Sequence, residues 1–404
     1  MCHLRVYMKQ IHGGITAASG FKAVGVHAGL KDNYQKDFAI ILSDSPSTAA
    51  GVFTQNRVCA APVILCRDHI RNQVANAIVI NSKNANACTG PQGLEDAYHT
   101  ARLAGEALGV NANSVLICST GVIGQRLPMD SIESGISLAV QGLNETGGHD
   151  AAQAIMTTDI VSKEVAVETN IDGHSIVIGG MAKGSGMIAP NMATMLSFLT
   201  TNVSILPEIL QTALQTATNK SFNRVTVDSD TSTNDTVLIL ANGVAGNPQI
   251  TEHHQVFQDA LDFVCIELAK MIARDGEGAT KLLEIVVKNA RNENDGTLAA
   301  RAVAESPLVK TAAFANDANW GRIMMAIGKS GAEFDQSRVE VWIGNCQIVK
   351  NGVDAGFDEQ KATEQLSKDT VNITADLHSG HTDVTFWTCD YSYDYVKINA
   401  EYRT

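Results

Sequence analysis

Hydrophobic residues recur along this chain with two different periods. Continuous β-branched and aliphatic runs occur at 77–81 (AIVIN), 114–120 (SVLICST), 174–179 (HSIVIG), 235–241 (DTVLILA) and 283–288 (LEIVVK). Short runs of this kind read as buried strands. Between them, apolar residues return at steps of three and four over 94–109, 128–143, 206–221 and 254–273, which predicts amphipathic helices. From about 336 onward the pattern shortens to strand-like pieces, among them VEVWIG, VNITADL and DVTFWTCDYSY, so the C-terminal part is expected to be richer in β-structure. Alternating strand and helix signals predict an α+β protein of mixed α/β layers. Its 404 residues suffice for two or three structural units.

Composition narrows the class. A hydrophobic content of 45%, with 33 Gly against 8 Pro, describes a folded chain with many turns rather than a disordered one. The net charge of −13 and the lack of any basic run exclude a nucleic-acid binder, which needs clustered Lys and Arg to neutralise phosphates. An anionic substrate would then need a local cation, and Lys183 stands out for that reason. No 18-residue apolar span occurs, and the opening MCHLRVYMKQIHGG lacks the core of a signal peptide. No membrane role and a cytoplasmic location are therefore expected. The eight cysteines, at 2, 59, 66, 88, 118, 265, 346 and 389, form no CxxC pair and read as reduced, buried thiols.

One segment fits neither period: residues 179–195, GGMAKGSGMIAPNMATM. As a nucleotide loop, Gly184-Ser185-Gly186 followed by Ala189 satisfies G-x-G-x-x-A, but Pro190 falls where the phosphate-bearing helix should already run. Lys183 also precedes the glycines, whereas a P-loop places its lysine after them. A plain flexible loop leading into a buried element is the second reading; residues 194–200 suit a helix and a strand equally well. The third reading is a scissile junction, in which glycines permit a backbone from which the Thr194 hydroxyl attacks the carbonyl of Ala193. An N→O acyl shift and hydrolysis would leave Thr194 with a free α-amine beside its hydroxyl. An α-amine has a reference pKa of roughly 7.7–8.0, so one residue would carry both nucleophile and base. No GxSxG elbow, HExxH motif or histidine-paired nucleophile competes with it.

KGSGMIAPNMATM resembles the cleavage-site motif of the ornithine acetyltransferase family, also called bifunctional glutamate N-acetyltransferases of arginine biosynthesis. The resemblance spans nearly the whole chain, through GFKAVGVHAGLK, AAGVFTQNRVCAAPV (49–63), NANACTG (84–90), STGVIGQ (119–125), DSDTSTNDT (228–236), ARDGEGATK (273–281), NWGRIMMAIGKSG (319–331) and SYDYVKINAEYRT (392–404). It implies an N-terminal-nucleophile-type self-processing fold with a smaller β-rich C-terminal part. The precursor would be cut into an α chain, 1–193, and a β chain, 194–404, assembling as an α2β2 heterotetramer, with the β-rich subdomain from about 285–335 onward. The implied reaction is ping-pong transfer of acetyl from N2-acetyl-L-ornithine to L-glutamate through an acetyl-Thr194 ester. No cofactor is required, and acetyl-CoA serves some family members as an alternative donor.

Site residues carried over by motif are Thr120 and Gly121 as the oxyanion hole, and Thr157, Lys183, Thr194, Glu277, Asn399 and Thr404 as substrate contacts, with Thr158 the rival of Thr157. Lys183 suits a substrate carboxylate and Glu277 the cationic end of ornithine. Taken alone, either would read as a solvated surface charge, and Thr120-Gly121 as an ordinary strand-to-turn pair. The tail DYVKINAEYRT alternates as a docked strand would. Asp228, Asp230 and Asp235 offer three nearby carboxylates, but no histidine joins them and their spacing is not that of a calcium loop, so no metal is expected. Three positions depart from the family pattern: Lys83 and Ser229 stand where glycine is usual, and Ala318 where proline is. A left-handed lysine at 83 would cost on the order of 1 kcal/mol. Two rivals stay open, an N-terminal-nucleophile amidohydrolase or aminopeptidase and a non-catalytic binding protein of the same fold.

Overall fold

The apolar runs become neighbouring strands. The computed structural model describes residues 8–189 and 195–401, and its larger sheet runs in the order Lys9–Ile11, Lys163–Ile171, His174–Lys183, Leu196–Thr201, Thr236–Ala241, Phe38–Phe53, Val74–Asn81, Val115–Ser119, with Phe21–Val26 paired to Phe38–Phe53. Leu196–Thr201, the stretch that periodicity left undecided, is a strand. It lies antiparallel to His174–Lys183 and parallel to Thr236–Ala241.

Successive side chains of a strand point to opposite faces, and here each face has its own core. Leu238 and Leu240 join a core built with helices Ala61–His69, Gly90–Leu108, Met129–Gly142 and Gly148–Ala154. Val237, Ile239 and Ala241 join a second core with helices Pro207–Lys220 and Gln255–Arg274. Burial on both faces is why these strands read as continuous apolar runs rather than alternating ones. Phe38–Phe53 is the long strand that the sequence pattern conceals. Pro46 and its polar neighbours interrupt the run, and they sit where the pairing with Val74–Asn81 shifts register between Leu42 and Ser47, an irregularity that accommodates a proline.

A second sheet, ordered Val353–Asp354, Cys346–Lys350, Glu340–Ile343, Thr370–Asp376, Leu282–Ala290, Thr382–Cys389, packs on helices Glu293–Ala304, Pro307–Phe314, Trp320–Gly328 and Glu359–Leu366 around a third core. Leu282, Trp387 and Cys389 reach into the second core, which welds the two sheets together. The tail corrects an expectation: Tyr393–Glu401 is a helix, not a strand. Its alternation is too short to separate the two periods, and the helical one puts Tyr395 and Asn399, four residues apart, on one face. Among the described residues no helix is long and apolar enough to cross a membrane.

Candidate active site

A cavity of about 480 Å³ is lined by Thr120, Gly121, Thr157, Lys183, Glu277 and Asn399, six residues drawn from separate parts of the sequence. Ala193, Thr194 and Thr404 lie outside the described residues. Met195, which follows the junction, opens the central strand and donates its N–H to Asp235 Oδ1 at 3.1 Å.

Thr120 and Gly121 follow the strand Val115–Ser119. The Thr120 N–H is spent on the Asn81 carbonyl at 3.0 Å, but its hydroxyl and the Gly121 N–H bond to no described residue. Among the described residues both donors are therefore unspent. Gly121 has φ +131°, and a Cβ there would come within 2.2 Å of the Lys83 carbonyl carbon, so no side chain fits. Side-chain amides hold this turn from behind. Asn81 donates to the Asn84 carbonyl at 2.8 Å, Ser119 Oγ donates to Asn81 Oδ1 at 2.6 Å, and Asn234 Nδ2 donates to the carbonyls of Ala85 and Ser119 at 2.7 and 2.8 Å. Asn81 and the asparagine of DSDTSTNDT thus satisfy backbone groups that no strand ladder reaches. On the oxyanion role that the sequence resemblance implies, Thr120→Ala should leave folding intact and lower kcat by roughly 10²–10³-fold, the range for losing one such donor, as steady-state kinetics would measure.

Lys183 and Glu277 are not surface charges, being 3% and 7% exposed. The Lys183 ammonium makes no hydrogen bond to a described residue, and its ion-pair partner, Asp159 Oδ2, lies 4.0 Å away. Burial lowers its pKa and Asp159 opposes that shift. A buried ammonium with donors to spare is a site for an anion such as a substrate carboxylate. Glu277 Oε2 accepts from Asn399 Nδ2 at 2.8 Å, which ties the tail helix to the cavity. A Cβ at residue 186 would fall 2.5 Å from the Glu277 carboxylate. The glycine of KGSG therefore serves that close approach rather than a phosphate.

Sequence reading missed the group that holds Lys183 in place. The Asp159 side chain is fully buried between Lys163, whose ammonium bonds to it at 2.7 Å and to Asp275 at 2.6 Å, and the N–H of Gly184 at 2.7 Å. Burial alone would raise its carboxyl, but Lys183 and Lys163 together hold it well below the usual carboxylate range. In the sequence Asp159 and Lys163 are merely two charges near an apolar pair. Asp159 Oδ2 also accepts the Thr157 N–H at 3.0 Å. The Thr158 hydroxyl is paired with Ser185 Oγ at 2.6 Å, while the Thr157 hydroxyl bonds to no described residue. That leaves Thr157 the freer of the two for a ligand.

The three aspartates do not converge. Asp228 lines the cavity and accepts the N–H groups of Met187 and Ile188 at 2.6 and 2.8 Å; burial pushes its carboxyl up to about 6 against those bonds. Asp235 is fully buried on Met195 and Asp230 is exposed. Among the described residues no three His, Cys, Asp or Glu are placed to hold a metal ion. The cysteine expectation needs correction. Cys66, Cys118, Cys265 and Cys389 are buried, but Cys88 is exposed and lines the cavity, and Cys59 and Cys346 are half-buried. All seven are free thiols. Cys2 lies outside the described residues.

Lys83 and Ser229 both adopt the left-handed conformation, at φ +78° and +69°. Each therefore carries the strain that glycine avoids. Lys83→Gly should raise stability by up to ~1 kcal/mol, a rise in Tm of about 1–2 °C, read by differential scanning calorimetry.

Comparison with known proteins bears on the whole chain. The model of the ArgJ family matches residues 22–404. The arginine biosynthesis bifunctional protein ArgJ of Symbiobacterium thermophilum is 53% identical over 402 residues, covering 98% of this chain and 100% of that protein. Its namesake from Oceanobacillus iheyensis is 49% identical, covering 97% of each. A solved structure, described as ornithine acetyltransferase complexed with ornithine from Mycobacterium tuberculosis, is 41% identical over 45% of this chain and 98% of that chain, with a TM-score of 0.43. Identity near one residue in two over nearly the whole chain, with the family model matching residues 22–404, places the chain in the ArgJ family.

Proposed function

We propose that this protein is a glutamate N-acetyltransferase that matures by cutting its own Ala193–Thr194 bond. The freed α-amine of Thr194 takes the proton of its hydroxyl, and the hydroxyl attacks the acetyl carbonyl of N2-acetyl-L-ornithine. The Thr120 hydroxyl and Gly121 N–H receive the negative oxygen of the tetrahedral intermediate. Ornithine leaves, L-glutamate attacks the acetyl-Thr194 ester, and N-acetyl-L-glutamate is released. Lys183 takes a substrate carboxylate, while Glu277, with Asn399, takes the ammonium of ornithine; Thr157 and Thr404 complete the substrate contacts. The halves 1–193 and 194–404 stay together as an α2β2 heterotetramer in the cytoplasm. No cofactor is needed, because one amide is exchanged for another, and acetyl-CoA is an alternative donor.

The observation that carries this reading is the cavity itself, which joins two donors and a buried ammonium, none bonded to a described residue, to a buried carboxylate. Purified protein incubated with acetylornithine should release ornithine over many turnovers only when glutamate is present, and at most one equivalent per site without it. Continued release without glutamate would identify an amidohydrolase, and an intact polypeptide with no turnover would leave a binding protein. A parallel incubation with acetyl-CoA and glutamate tests the second donor.

A further inference from the structure

Acetylornithine and glutamate make opposite demands on one cavity. Both carry an α-carboxylate and a reacting α-nitrogen, but their side chains end in opposite charges, an ammonium in the donor and a carboxylate in the acceptor. The acceptor's nitrogen must come to where the donor's stood. If its side chain followed the donor's path, its carboxylate would meet that of Glu277, which is 7% exposed and tied to Asn399. Like charges with little water between them repel strongly. Lys183, matched to the α-carboxylate common to both substrates, cannot serve the second one as well. The γ-carboxylate of glutamate therefore needs another cation, away from Glu277.

A smaller cavity of about 230 Å³ supplies one. It is lined by Lys31, Asp32, Asn33, Gln35, Lys83 and Thr157, and Thr157 lines the larger cavity too. Lys83 also backs onto the turn at Gly121, its carbonyl accepting the Val122 N–H at 3.0 Å. The Lys83 side chain is half-buried, and its ammonium bonds to no described residue. Lys31 is fixed beside it. Its ammonium donates to the carbonyls of Lys36 and Met156 at 2.9 and 2.8 Å, which leaves one of its three N–H groups unspent. Asp32, the carboxylate on this wall, is exposed and pairs with neither lysine. Burial lowers the Lys31 pKa against Asp37 and Asp159, and Lys183 and Lys83 lower it further, so both ammonium groups stand near enough to act on it. Lys83 holds its place at φ +78°. Backbone strain of this kind concentrates where a side chain has work at a site.

We propose that Lys83, with Lys31 beside it, receives the γ-carboxylate of the acceptor glutamate, an assignment that rests on the acetyl transfer proposed above. Donor and acceptor then share Lys183 and part company beyond it: the donor's ammonium goes to Glu277 and the acceptor's carboxylate to Lys83.

The test is the steady-state kinetics of Lys83→Met, which removes the charge and keeps the backbone strain. In a ping-pong cycle kcat/KM for each substrate reports its own half-reaction. The variant should lower kcat/KM for glutamate by about 10–100-fold, the range for a hydrogen bond to a charged group, through KM rather than kcat, and leave that for acetylornithine within about twofold. The wild-type preference for L-glutamate over neutral L-glutamine as acceptor should shrink by the same factor, and Lys83→Arg should restore most of it. An unchanged preference overturns the assignment. So does an equal fall for acetylornithine, which would mark Lys83 as a support of the Gly121 turn, or a fall confined to acetyl-CoA as donor, which would assign the lysines to its phosphates. Should Lys83→Met fail to fold, Lys83→Gly, which relieves the strain, takes its place with the same expectations. A wild-type protein that transfers no acetyl overturns the acetyltransferase reading first, and this one with it.

Discussion

Thr194→Ala is expected to accumulate as one uncut polypeptide with no measurable acetyl transfer. Alanine lacks the hydroxyl for both attacks, the first on the Ala193 carbonyl and the second on the acetyl group. Removing a nucleophile of this kind lowers turnover by at least about 10⁴-fold, so a single substitution should erase two activities. Intact mass spectrometry reads the first and ornithine release the second. The wild-type C-terminal fragment should begin Thr194-Met195-Leu196 by Edman degradation. Thr194→Ser, which keeps a hydroxyl, should retain both activities at reduced rate. Persistence of cutting or transfer in Thr194→Ala would take Thr194 out of its role.

The largest stability effect is expected at Lys163. Its ammonium is fully buried between Asp159 and Asp275, at 2.7 and 2.6 Å. Lys163→Met leaves two buried carboxylates with no cation closer than Lys183, 4.0 Å from Asp159. Breaking a buried ion pair from one side costs about 3–5 kcal/mol. Because the folded-state pKa of Asp159 is depressed, its contribution to stability is complete above the ordinary carboxylate range and is lost as pH falls toward the folded value. In the variant that carboxyl takes up its proton more readily, so the deficit should be largest at pH 7 and shrink in acid. Urea denaturation of wild type and variant at both conditions measures it. Transfer should weaken as well, because Asp159 also holds the Gly184 N–H beside Lys183.

The four helices predicted from three- and four-residue steps are present within a few residues of their expected limits: Gly90–Leu108, Met129–Gly142, Pro207–Lys220 and Gln255–Arg274. The five apolar runs are strands. These elements were legible because each buries a face whose period shows in the residues themselves. The strand Phe38–Phe53 was not, since Pro46 and three serines break its pattern while neighbouring strands supply its hydrogen bonds. The helix Glu293–Ala304 was also missed, for its buried face consists of small residues such as Ala299, Ala300 and Ala304, which contribute little periodic signal. The tail helix was misread because nine residues are too few to separate its period from alternation.

The candidate site divides along the same physical line. Local chemistry is written in the order of residues: a threonine that follows a glycine-rich stretch, a Thr-Gly pair after a strand, an element that alternates. Those features were set by the chain alone, and so were mixed layers, an acidic surface and the absence of long apolar spans. Which charges leave the surface was decided only when distant segments met. Lys183, Glu277, Asp159, Lys163 and Asp235 are ordinary polar letters in one dimension. Burial and long-range partners make Lys183 an ammonium with no hydrogen bond to a described residue, Asp159 a carboxylate held below its range and Asp235 an acid held above it, because desolvation and Coulomb forces depend on distances in space rather than separation along the chain.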